Sequence, residues 1–126
     1  MNIEEILEKI KKLEYQISIL SECIDYDRYP VQSLILSLGW DSTQINKAHD
    51  IFQNFDEKLE KGEKINWYEF ENALEDEFSI GYQTVKSIVL AFYNNHQWVD
   101  VCYGYAMSFE PTTPIEFHPI TRKQIK

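Results

Sequence analysis

The sequence has few residues that interrupt a helix: its 126 residues include only four glycines and four prolines. Proline removes a backbone hydrogen bond and clashes with the preceding turn, and glycine weakens a helix through its backbone freedom. Three of the prolines, Pro111, Pro114 and Pro119, lie near the C-terminus, so the first 110 residues are nearly free of such breaks. This distribution predicts an all-α fold.

Cysteine is also scarce, and Cys23 and Cys102 lie far apart with no Cys-x-x-Cys pair around either. This spacing indicates neither a zinc site nor a disulfide framework, so we expect both thiols to be reduced. No apolar run approaches the roughly 20 residues that span a bilayer, and acidic residues interrupt the apolar N-terminus, where a signal sequence would be basic and then apolar. The sequence therefore predicts a cytoplasmic protein with no membrane partner.

Basic residues are outnumbered, with 12 lysines and arginines against 21 aspartates and glutamates, for a net charge of −9. Residues 50–77 hold most of the excess, since they contain 10 acids and 3 bases. Such a surface repels phosphate backbones and attracts basic proteins, so we expect a basic protein partner and no direct nucleic-acid binding. The alternative is a solvated helix face that aids solubility. The candidate acidic partner face contains Glu60, Glu63, Glu71, Glu75, Asp76 and Glu77.

The most regular apolar pattern in the sequence lies near the N-terminus. Isoleucine or leucine recurs near the N-terminus at alternating steps of three and four, at Ile3, Ile6, Ile10, Leu13, Ile17, Leu20 and Ile24. This heptad seam on a helix of about 22 residues is narrower than the stripe of a core helix and is typical of a coiled coil. It predicts a homo-oligomer joined by this helix, with a dimer favoured. The alternative is that the helix docks on its own chain.

Charges and further apolar residues flank the seam. In a parallel pair of such helices, Lys9 at heptad position g would face Glu14 at position e of the partner, an attractive contact. Leu7, Ile19 and Cys23 lie off the seam, so a second flank of the helix is expected to touch the rest of the domain.

The rest of the chain reads as a compact helical bundle, which gives about six helices in all. Pro30 suits the first turn of a second helix and Gly39 its stop, while Asp41 and Asn66 are expected to cap the third and fourth helices. We expect one helical domain over residues 1–110, in which residues 1–24 form the coiled-coil-like helix. Residues 111–126 are expected to be an extended tail, held by Ile115, Phe117 and Ile120 on apolar surface.

The stretch from Glu60 to Phe70, EKGEKINWYEF, resembles a calcium loop at first sight. An EF-hand loop needs oxygen ligands at positions 1, 3, 5 and 12 and glycine at position 6. With Gly62 at position 6, Leu59 falls at position 3, Lys61 at position 5 and Tyr68 at position 12. The sequence therefore predicts a helical hairpin here without calcium.

Two pairs of side chains are candidates for a metal or a proton-transfer site. His96 and Asp100 are four residues apart on one helix face, and Asp25 and Asp27 flank a tyrosine. A local hydrogen-bonded pair at a helix start explains His96 and Asp100 as well, since they have no third ligand in sequence. For Asp25 and Asp27 we expect helix capping and a pairing with Arg28. No glycine-rich phosphate loop or hydrolase signature occurs. We therefore expect no cofactor, no metal and no catalytic residue.

Several short segments together resemble one family. They are LEY at Leu13–Tyr15, IDYDRYP at Ile24–Pro30, GEKINWYEF at Gly62–Phe70 and FYNNHQW at Phe92–Trp98. In this order and spacing the chain is similar, over residues 8–109, to the YhaI-like family of small uncharacterised proteins of Gram-positive bacteria. The resemblance implies an all-helical fold and a tendency to self-associate, with no established activity. The last 16 residues lie beyond the family pattern.

These observations favour a non-enzymatic helical protein that self-associates through its first helix and binds another protein. One alternative is an acidic inhibitor or immunity-type protein that blocks the basic nucleic-acid groove of an enzyme. A further alternative is a small metal-dependent hydrolase built on Asp25 and Asp27 or on His96 and Asp100.

Overall fold

A computed structural model describes residues 1–122, and these residues form helices and turns without a strand. The prediction of an all-α fold is confirmed. The expected six helices are present, and a 3-10 turn and a one-turn helix follow them. The elements are α1 (Ile3–Glu22), α2 (Pro30–Leu38), α3 (Ser42–Glu60), α4 (Trp67–Phe78), α5 (Tyr82–Asn94), α6 (Val99–Met107), the 3-10 turn Ile115–Phe117, and α7 (His118–Thr121).

Helices α2 to α6 pack around one aromatic core. Helix α5 contacts α2, α4 and α6, and α3 contacts α4 and α6. Phe52 of α3 lies at the centre, fully buried, with its ring edge-on to Phe70 at 5.2 Å and to Phe92 at 4.7 Å between centroids. Such edge-to-face pairs add about 0.5 to 1.5 kcal/mol each beyond the burial of apolar area.

The helix ends follow the residues that the sequence provides. Pro30 opens α2, and Gly39 ends it with φ of +66°, a conformation that glycine adopts without strain. Asp41 and Gln44 form a reciprocal capping box on α3, in which each side chain accepts a hydrogen bond from the other's backbone N–H. Trp40 fills the corner between α2 and α3 and packs on Phe78 at 4.5 Å. The start and end of α2 and the cap of α3 agree with the sequence-based expectations.

Helix α1 stands apart from this bundle. None of its residues is buried, so it is not docked on its own chain. It ends at Glu22, two residues before the last predicted seam position, Ile24. The reason is local: the carboxylate of Asp25 accepts hydrogen bonds from the backbone N–H groups of Asp27 and Arg28, which stabilises a turn in place of further helix.

The C-terminal segment differs from the expected extended tail. Residues 115–121 form a 3-10 turn and a short helix, and Phe117 and Ile120 are buried while Ile115 is exposed. The ring of Phe117 packs against Tyr105 at 5.8 Å, and the ammonium group of Lys86 lies 2.7 Å from the carboxylate of Glu116. Burial of two large apolar side chains and one ion pair therefore holds the chain in a folded path. The rest of the predicted tail, residues 123–126, lies outside the described residues.

None of the helices described over residues 1–122 has the length and apolar character needed to cross a bilayer.

Candidate functional site

The helical part of the seam lies along one side of α1 and is exposed over its whole length. Ile6 and Ile10 are 43% exposed and Leu20 is 65% exposed. An apolar stripe over a helix about 30 Å long is far more than the scattered single apolar residues of an ordinary surface. The six exposed seam positions are Ile3, Ile6, Ile10, Leu13, Ile17 and Leu20.

The ends and flanks of α1 are polar and suit a free-standing helix. Asn2 caps the N-terminus by accepting a hydrogen bond from the N–H of Glu5 at 2.8 Å, and Glu4 and Glu5 place negative charge in the first turn, where the helix dipole favours it. The off-seam residues Leu7 and Ile19 are exposed as well, so the expected second flank makes no buried contact with the bundle.

The six acidic residues of the predicted partner face are distributed over the end of α3, the following loop and α4. Glu71 and Glu75 lie one turn apart on α4, and the negative charges of both raise the pKa of Tyr105 on α6. Glu77 instead forms an ion pair with Lys47 of α3 at 3.4 Å. The remaining three are Glu60 at the end of α3, Glu63 in the following loop, and the exposed Asp76.

A cleft of about 250 Å³ opens between the start of α4 and the end of α6. Its walls are largely aromatic, and one carboxylate reaches it. Among its lining residues are Trp67, Tyr68, Glu71, Tyr105, Ser108 and Phe109.

The cleft's tryptophan is seated against a glycine. A Cβ atom placed on Gly104 would lie 2.4 Å from Cζ2 of Trp67, so the indole ring packs directly on the bare backbone of α6. The same ring lies edge-on to Phe70 at 5.6 Å and to Tyr105 at 6.3 Å. Close packing on these sides holds the ring in one orientation at the wall of the cleft.

The carboxylate in the cleft is also held in place. The hydroxyl of Tyr105, whose side chain is 1% exposed, donates to Oε2 of Glu71 at 2.7 Å. Burial raises the pKa of Tyr105 well above its ordinary value, and the hydrogen bond to Glu71 and the charges of Glu71 and Glu75 raise it further. The phenol therefore remains a donor at physiological pH, and Glu71 is fixed as an acceptor.

The two candidate metal pairs lie in a turn and at the start of a helix. Asp25 caps its own turn, as described above, and Arg28 lies over the ring of Tyr29 at 5.9 Å from its centroid. His96 has φ of +59° in the loop before α6, and Asp100 lies in the first turn of that helix. Within residues 1–122, no three histidine, cysteine, aspartate or glutamate side chains come together as a possible metal site.

The segment that resembles a calcium loop is a connection between helices. Helix α3 ends at Glu60, Gly62 takes φ of +75°, and the side chain of Asn66 caps α4 by accepting from the N–H of Tyr68 at 3.0 Å. The expected cap is therefore present.

Sequence reasoning did not identify the aromatic cleft. Trp67 and Tyr105 each have the spacing of core residues, and 34 residues separate Glu71 from Tyr105. The closest signal was Gly104, a glycine in the middle of a helical segment, which indicates a close approach of another group to the backbone.

Comparison with known proteins gives one family match. The family described as a protein of unknown function (DUF1878) matches residues 3–100. No curated protein and no solved structure matches the chain.

Proposed function

The chain belongs to the DUF1878 family, which has no assigned function, and we propose that it is a non-enzymatic helical protein that pairs with a second copy through α1 and binds another protein through its bundle. The motif resemblance to YhaI-like proteins is part of this proposal, because all four of those segments lie within the matched residues 3–100.

The uncovered seam of α1 is the observation that carries the self-association. Full burial of a leucine or isoleucine side chain is worth about 1.5 to 3 kcal/mol, and six such side chains stand exposed on a single stripe. A second copy of the same helix covers this stripe in register, because each seam residue meets its own counterpart. Pairing also stabilises α1 itself, since isolated helices of this length are marginal in water.

The residue types along the seam support a parallel pair. Ile10 and Ile17 occupy position a and Leu13 and Leu20 position d, the combination that favours two parallel strands. In that arrangement Lys9 faces Glu14 of the second copy. An antiparallel pair sets g positions against g positions, where Lys9 meets no acidic residue.

Light scattering of purified protein tests the pairing. Ile10→Lys with Ile17→Lys puts charges into the seam, and we expect the mass to fall from that of a dimer to that of a monomer of 15.0 kDa. The matched control is Tyr15→Lys with Ser18→Lys, which adds the same charge on the outer face of α1 and should leave the dimer intact. A monomeric wild-type protein, or a mass that the seam variant does not change, would refute the proposal.

The orientation is tested by oxidation. Leu20→Cys in a Cys23→Ser background should form a covalent dimer, because equivalent residues meet in a parallel pair. A covalent dimer formed only when Ile3→Cys is added would instead indicate antiparallel helices, because position d of one helix then meets position a of the other.

A second candidate function is an acidic inhibitor of a nucleic-acid enzyme. The excess of acids in residues 50–77 supports it, because such a field attracts a basic groove and weakens with salt. A pull-down from native cells at low and at high salt distinguishes the two functions. A captured nucleic-acid enzyme that is lost at high salt favours the inhibitor, whereas a captured protein without nucleic-acid activity favours the first function.

A further inference from the structure

We propose that the cleft between α4 and α6 binds the guanidinium group of an arginine on a basic segment of the protein partner. This inference rests on the proposed protein-binding role of the bundle and is independent of pairing through α1.

The walls of the cleft suit a flat cation. Trp67, Tyr68 and Phe109 line it with aromatic rings, and a cation over such a ring is attracted by the negative charge of the ring face. Tyr68 is 77% exposed, which is unusual for a large aromatic side chain and leaves its ring free to cover an incoming group. Trp67 is already fixed by its contacts with Gly104 and Phe70, so little ordering is needed on binding.

The single carboxylate in the cleft supplies the matching charge. Oε2 of Glu71 accepts from the hydroxyl of Tyr105, and no group within residues 1–122 donates to Oε1. The ion pairs formed within residues 1–122 are Lys47–Glu77 and Lys86–Glu116, and Glu71 takes part in neither. The carboxylate of Glu71 is therefore held beside the aromatic wall of the cleft, where it can bind a cation.

The volume of the cleft and the negative charge around it favour an arginine side chain over other ligands. The cleft, at about 250 Å³, is smaller than the sites that enclose drug-sized molecules, which start at about 300 Å³. A guanidinium is planar, donates in a fixed fork to a carboxylate and stacks on aromatic rings, whereas the ammonium of lysine is compact and strongly hydrated. The excess of acids in residues 50–77 also attracts basic residues that flank the bound arginine in the partner.

The test is a titration of the full-length protein with acetyl-Gly-Arg-Gly-Arg-Gly-amide, followed by NMR. We expect saturable shifts of the Trp67 indole signal and of the Tyr68 and Ser108 amides. The same peptide with citrulline in place of arginine is neutral and nearly identical in shape, and we expect it to bind at least ten-fold more weakly. A lysine peptide should bind several-fold more weakly.

Three variants locate the binding on the protein. Glu71→Gln removes the charge while its side-chain carbonyl still accepts from Tyr105, so the fold is retained and affinity should fall at least ten-fold. Glu60→Gln makes the same charge change outside the cleft and should alter affinity less than two-fold. Tyr68→Ala, at an exposed position, should weaken binding several-fold without changing the melting temperature.

Several outcomes would overturn the inference. Equal losses in Glu71→Gln and Glu60→Gln would indicate a diffuse acidic surface, equal binding of the citrulline peptide would indicate no role for charge, and the absence of shifts at Trp67 would place any binding elsewhere. Repeating the titration on Ile10→Lys/Ile17→Lys separates the two proposals, since self-association is read from the mass and the cleft from the shifts.

Discussion

Gly104 of α6 and Trp67 of α4 form the tightest glycine contact of the bundle: an added Cβ at Gly104 would lie 2.4 Å from the indole ring. Because the indole ring of Trp67 is packed on several sides, it has little freedom to move away from an added Cβ atom. This contact joins the two helices that form the cleft.

Gly104→Ala should therefore destabilise the protein by about 1 to 3 kcal/mol, the usual range for overpacking a core, and should alter the cleft. Urea unfolding followed by tryptophan fluorescence measures the first effect, and the arginine peptide titration the second. Gly81→Ala is the control, since nothing lies within 4 Å of its added Cβ, and it should cost less than about 1 kcal/mol. Equal costs at the two positions would contradict the packing argument.

The seam of α1 should matter for assembly and little for the fold of the bundle. All three tryptophans, Trp40, Trp67 and Trp98, lie outside α1, so their fluorescence reports on the bundle alone. Leu13→Ala, at a position 56% exposed, should leave the urea midpoint unchanged at low protein concentration. Leu74→Ala removes the same atoms from a fully buried site and should cost about 2 to 5 kcal/mol. A large loss from Leu13→Ala would mean that α1 is packed on its own chain.

The hydrogen bond from Tyr105 to Glu71 should contribute to stability in a pH-dependent way. Tyr105→Phe leaves the half-buried carboxylate without its donor and should cost about 1 kcal/mol at pH 8. Since the pKa of Tyr105 is raised in the folded state, its contribution is fully present below the unfolded-state pKa near 10 and is lost as pH rises toward the folded-state pKa. The difference in unfolding free energy between wild type and Tyr105→Phe should therefore shrink above about pH 10. Tyr103→Phe, on the exposed side of α6, serves as the control.

The ion pair between Lys86 and Glu116 should hold the C-terminal segment on the bundle. The hydrogen bond from Lys86 lowers the pKa of Glu116 below its ordinary value, so its contribution is present above the unfolded-state pKa and is lost as pH falls through the lowered value. Glu116→Gln should speed hydrogen exchange in residues 115–121 at pH 7, and its difference from wild type in unfolding free energy should disappear in acid. Glu110→Gln, outside both ion pairs, should do neither.

The near absence of helix-breaking residues and the local capping signals were enough to predict the helices. Phe52, Phe70 and Val89 are buried on α3, α4 and α5, because one apolar face of each helix must leave water. Asp41 and Pro30 likewise mark helix starts through interactions within one turn.

The features that sequence reasoning missed depend on contacts between distant segments or on unfavourable backbone conformations. The cleft forms only when α4 and α6 meet at Gly104, and the folded C-terminal segment depends on Lys86 reaching Glu116 across 30 residues. His96 and Trp98 take positive φ angles of 59° and 44°. Residues other than glycine rarely adopt this backbone conformation without support from tertiary packing, so no local sequence pattern predicts it.

The separation of α1 from the bundle bears on binding strength. Two chains joined by parallel helices would carry two copies of the same receptor on one side of a common stalk. A ligand with two suitably spaced basic segments would engage both, and its second attachment would be intramolecular. Avidity of this kind exceeds the affinity of one site by about 10² to 10⁴-fold when the geometry allows it. A low affinity at each bundle would therefore be sufficient for tight binding by the dimer.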